Sequence, residues 1–107
     1  MAEIYVAVWN QDKVAMPSVN GELVVILVIR NGFFQAQRPL MFRSGTAIFQ
    51  NLPSGAYTMI ARHSDLNPTE ARYDINLSDK TILGIRFTFN ELECRLLTIE
   101  TEVSSLP

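Results

Sequence analysis

The chain is poor in the residues that chemistry most often needs. It holds one cysteine, one histidine and one tryptophan in 107 residues. A lone Cys94 can form neither an internal disulfide nor a thiolate zinc site, and it reads as a small buried apolar residue. Arg95 beside it would point to the opposite face of a strand, so no electropositive setting for a reactive thiol is in sight. Nine Lys and Arg stand against eleven Asp and Glu, for a formal net charge of -2. The basic residues are scattered, which excludes the electrostatic footprint of a nucleic-acid binder. The longest apolar run, Leu23 to Ile29, is seven residues long. A membrane span needs about 20, so no membrane partner is expected. The first residues carry no signal-peptide pattern. With Met1 as the native start the expected compartment is the cytoplasm; for a chain cut from a larger secreted protein that inference fails.

What the chain does have is strand. It is 48% hydrophobic, enough for one domain with its own core over residues 1–107. Ile4, Val6 and Val8 alternate with Tyr5, Ala7 and Trp9 to give a first strand. Glu22 to Arg30 is too short and too β-branched for a helix and reads as one central strand buried on both faces. Asn31-Gly32 is a turn signal. Phe33 to Pro39 is ambiguous, because Pro39 demotes it to edge or loop. Leu40 to Arg43 reads as a short strand that turns at Ser44-Gly45 into Thr46 to Gln50.

Ala56 to His63, Glu70 to Leu77, Thr81 to Phe89 and Glu93 to Thr101 read as further strands, and 102–107 as a loose tail. Gly84 inside its strand suggests a bulge or a close backbone approach. About eight short strands with frequent turns and no helical period predict an all-β, two-sheet, mostly antiparallel sandwich. Phe49, Tyr57, Tyr73, Ile75, Ile85 and Phe87 are expected in its core. Arg72, Asp74, Arg86 and Thr88 are expected on outward faces.

The most specific stretch is Phe49-Gln50-Asn51-Leu52-Pro53-Ser54-Gly55-Ala56-Tyr57. Pro53 presets φ for a turn and Gly55 supplies a permissive backbone after it. With the strands around it, from Pro17 to Phe89, the stretch resembles the prealbumin-like sandwich domains, among them the carboxypeptidase regulatory-like domain and the Cna B-type repeat. The resemblance implies that fold, with Phe49 and Tyr57 plugging one end of the sandwich. It implies no single function, because one sandwich hosts many roles. Cna B-type domains often carry a Lys–Asn cross-link promoted by an acidic residue four positions after the motif tyrosine. That position is Ala61 here, and the first strand has no lysine, so no cross-link is expected. The related hydrolases need several histidines, and this chain has His63 alone.

Other constellations fare no better. His63-Ser64-Asp65 has the residue types of a catalytic triad, but neighbouring strand residues diverge where a triad must converge. His63, Asp65 and Asn67 are too few for a metal site. No catalytic residue, metal or cofactor is therefore expected, and replacing His63 by Ala is expected to leave the protein unchanged. Asn76-Leu77-Ser78 matches a glycosylation acceptor and reads as an outward polar strand end.

What remains is aromatic exposure at Phe33, Phe34 and Trp9. The expectation is a non-catalytic binding or interaction module, meeting a protein or its own copy through a strand edge or loop end. The first strand and Phe33 to Pro39 are the expected periphery. The alternative is a carbohydrate-binding module in which Trp9 and Tyr5, with Phe33 or Phe34, form an aromatic platform.

Overall fold

The structure is a computed structural model that describes residues 1–107. Ten strands and no helix follow in order: β1 (Ala2–Asn10), β2 (Ser18–Val19), β3 (Glu22–Leu23), β4 (Val25–Arg30), β5 (Phe33–Pro39), β6 (Thr46–Leu52), β7 (Gly55–Arg62), β8 (Glu70–Leu77), β9 (Thr81–Asn90) and β10 (Arg95–Ser105). One four-stranded sheet, the first sheet, runs β10-β9-β1-β6. The second runs β5-β4-β7-β8, and β2 and β3 form a small hairpin. Every pairing is antiparallel except β1 with β9.

The period of two builds the sandwich. Ile4, Val6 and Val8 of β1 face the same side as Leu83, Ile85, Phe87 and Phe89 of β9. They meet Ile26 and Val28 of β4 and Tyr57, Met59 and Ala61 of β7 in one core. Phe49 and Tyr57 are both buried, and the Tyr57 hydroxyl donates to the Pro53 carbonyl at 2.6 Å. Burial holds that phenol above its ordinary pKa. The left-handed residue of the motif is Asn51, at φ 58°. A Cβ at Gly55 would lie 2.9 Å from Arg30 Nε, so a larger residue there would push that side chain aside. Arg30 in turn donates twice to the Ser54 carbonyl, locking the turn against β4.

Several sequence expectations change. The Glu22–Arg30 segment breaks at Val24, whose amide donates to Pro17 O while its carbonyl accepts from Leu40 N. Its second part, β4, is central, but only one face is buried; Val25, Leu27 and Ile29 on the other are half-buried. Phe33–Pro39 is a full edge strand, and Leu40 to Arg43 is a turn, because Met41 N and Gly45 N bond with Thr46 O and Met41 O to close it. The first strand is not peripheral. It lies between β6, paired antiparallel, and β9, paired in parallel, so both of its edges are occupied.

The segment 102–107 is not a loose tail. Glu102 to Ser105 continue the ladder with β9, and Leu106 N donates to Lys80 O. Tyr73 and Ile75 face inward but are only half-buried, because β8 is an edge strand. Arg72 and Asp74 are exposed, and Arg86 and Thr88 point outward yet are half-covered.

Candidate functional site

Two outer faces could bind something, and they lie on opposite sides of the molecule. On the first sheet, Tyr5, Ala7 and Trp9 of β1 point outward, in register with Gly84, Arg86 and Thr88 of β9. Across β9, Glu102 stands opposite Gly84 and Glu100 opposite Arg86. The outcome is an open groove of about 440 Å³ walled by Tyr5, Trp9, Arg86, Glu100 and Glu102.

Its electrostatics are well defined. Arg86 Nη2 sits 2.9 Å from Glu100 Oε1, and its guanidinium lies 4.2 Å from the centre of the Trp9 ring. Hydrogen bonding and attraction to Arg86 hold the Glu100 carboxyl below the usual glutamate range. The Tyr5 hydroxyl donates to Glu3 at 2.9 Å, and that bond holds the phenol above its ordinary value. Tyr5 therefore remains a protonated donor throughout the neutral range.

Gly84 corrects the expectation of a bulge or a close backbone approach. Its register with both neighbours is regular, and a Cβ there would find its nearest atom, Glu102 O, at 3.7 Å. Only the side chain is missing, and its absence leaves the groove a floor.

On the second sheet, Val25, Leu27 and Ile29 of β4 form a half-buried outward row. Ile29 is paired with Phe34 of β5, and Leu27 with Ile60 of β7. Ile60 is buried yet stands outside the core cluster, so it belongs to this outer face. Phe34 is 64% exposed and Phe33, at the start of the same edge strand, 78%. Arg62, Glu70, Arg72 and Asp74 border the row on the far side. The structure thus does not bring Trp9 together with Phe33 and Phe34: the first lies on one sheet, the others on the opposite sheet.

His63 lies just past the end of β7 and is not an inert polar strand end. It is 5% exposed, and its Nδ1 accepts from Asp65 N at 3.0 Å. That acceptor role places the ring proton on Nε2, which is buried without a partner. The imidazole shapes the turn to Leu66, itself buried, so His63→Ala is expected to destabilise the protein. Asp65 faces away and accepts from Asn20 Nδ2 at 2.8 Å. No triad is assembled there. Cys94 is half-buried rather than buried, at φ 55° in the turn between β9 and β10.

The sequence reading singled out Trp9, Phe33 and Phe34, and it did not single out Arg86, Glu100, Glu102 or the use of Gly84 in the groove. The signal for the last was present, as a glycine inside an otherwise apolar alternation. No protein-family profile and no curated protein sequence matches this chain. No helix is long and apolar enough to cross a membrane.

Proposed function

We propose that this protein is a non-catalytic interaction module of prealbumin-like type, and that it meets a protein partner or a second copy through the outer face of its second sheet. The observation that supports this is the apolar strip of Val25, Leu27 and Ile29 with Ile60 and the exposed Phe34 on either side. An apolar centre with a charged border, here Arg62, Glu70, Arg72 and Asp74, is the anatomy of a protein interface. Exposed aromatics are the common anchors of such surfaces.

The face is a better candidate than the β5 edge. The ladder of β5 shifts between its pairings with Val28 and Ile29, which leaves Gln35 unpaired, and Pro39 lacks an N–H. A bulge and a proline are devices that blunt an edge against strand addition.

The test is sedimentation of the wild-type chain over a wide concentration range, with cross-linking to partners, beside Phe34→Glu. The wild type should associate and the variant, equally folded, should not. Identical behaviour of the two chains overturns the reading.

A second reading, a carbohydrate-binding module, is favoured by a separate observation: Tyr5 and Trp9 share the wall of one groove on the first sheet. The platform would then exclude Phe33 and Phe34.

A further inference from the structure

We propose that the groove over Gly84 is a binding site for a neutral saccharide. The proposal rests on the second reading above, and adds to it a location and a ligand class.

Glycine inside a strand is unfavourable, because it adds backbone entropy to be lost and brings nothing to pack. At Gly84 neither the backbone nor the neighbours ask for it. The pairing to Tyr5 and Glu102 is regular, and a side chain would have room. What glycine achieves is a gap between the Tyr5 ring and the Glu102 carboxylate. That gap deepens the sheet surface into a groove of about 440 Å³. The volume falls within the roughly 300–1,000 Å³ of small-ligand sites.

The lining selects the occupant. A pyranose presents an apolar face and a rim of hydroxyls that both donate and accept. Tyr5 supplies an aromatic wall for the face, Arg86 supplies donors, and Glu100 and Glu102 supply acceptors. One guanidinium against two carboxylates leaves the lining net negative, which disfavours phosphate, sulfate and carboxylate ligands. The cation position over Trp9 is already filled by Arg86, which disfavours an ammonium ligand there. An uncharged, hydroxyl-rich ring satisfies all of these groups.

The only tryptophan of the chain stands in the groove wall, so its fluorescence reports occupancy. The intact protein is titrated with a panel of neutral mono- and oligosaccharides, and with a sugar phosphate, while Trp9 emission and backbone amide resonances are followed. A saturable change with a millimolar midpoint is expected, with shifts centred on Tyr5, Gly84 and Glu102. Gly84→Val fills the floor with a strand-favouring residue and should weaken the response by about tenfold or more without lowering the thermal midpoint. Tyr5→Ala is the second variant, should Gly84→Val fail to fold, and should weaken binding likewise.

Equal binding by wild type and both variants would overturn the groove assignment while leaving a carbohydrate module standing. A stronger response to the sugar phosphate would overturn the neutral class. No saturation with any neutral sugar would overturn both the site and the second reading.

Discussion

Truncating two phenylalanines of the same chain separates core from surface with one chemistry. Phe49 is 2% exposed on the inner face of β6, paired with Ile4, and the Arg38 guanidinium lies 5.7 Å from its ring centre. Phe33 is 78% exposed. Phe49→Ala removes a ring that is almost wholly surrounded. The lost transfer energy and the residual cavity should together cost about 3–5 kcal/mol. A domain of this size is held by about 5–15 kcal/mol, so the variant should fold but stand close to the limit. At about 4 °C per kcal/mol, its thermal midpoint should fall by about 12–20 °C. Phe33→Ala should change stability by no more than about 0.5 kcal/mol. Urea unfolding followed by circular dichroism reads both values as shifts in midpoint at constant slope. A cost below about 1 kcal/mol for Phe49→Ala would show that the ring is not a core plug, and equal costs at the two positions would refute the packing argument altogether.

His63→Ala should cost about 2 kcal/mol, because it leaves a cavity and removes the acceptor of Asp65 N–H; a cost below about 0.5 kcal/mol, within the range of ordinary surface substitutions, would show that the imidazole has no structural role. Glu100→Gln should flatten the acid side of the stability profile. Arg86 depresses the Glu100 carboxyl in the folded state, so its contribution is present above the ordinary value of 4.5 and is lost as pH falls through the lower, folded value. Stability measured from pH 6 downward in both chains checks the sign, and a steeper decline in the variant would contradict it.

Much of the fold is legible along the chain, and the reason is periodicity. Alternation at Ile4, Val6 and Val8, or at Leu83, Ile85 and Phe87, determines which face of a strand is buried. It is silent on which strands are neighbours. That is why β1 reads as a possible rim and turns out central. Strand order is set by pairings distant in sequence, and no local pattern carries them. The limits of elements suffer from the same locality. Val24 is as apolar and β-branched as Val25, and only its bonds to Pro17 and Leu40 reveal the break. Pro39 signals an edge correctly, yet an edge strand can include it where no N–H is needed. Of the candidate surfaces, Phe33 and Phe34 are legible as neighbours that cannot both face a core, whereas Trp9, expected to be exposed, points outward but is half-buried beneath the Arg86 guanidinium. The groove was not, because its walls come from β1, β9 and β10 and its floor is an absent side chain.

The parallel pairing of β1 with β9 has a consequence for how the chain reaches its native state. Glu3 lies beside Ile82 and Asn10 beside Phe89, so this pair must close a loop that includes most of the polypeptide. Strands β4 and β5, and likewise β7 and β8, meet their partners across short connections. Loop closure is slow where contacts are distant in sequence, and local hairpins form early. The hairpins β4–β5, β7–β8 and β9–β10 are therefore expected to form before the β1–β9 pair, and the edge of β1 that faces β9 has no partner until β9 has been synthesised. Until then that edge of Ile4–Val8 is open to pairing with another chain.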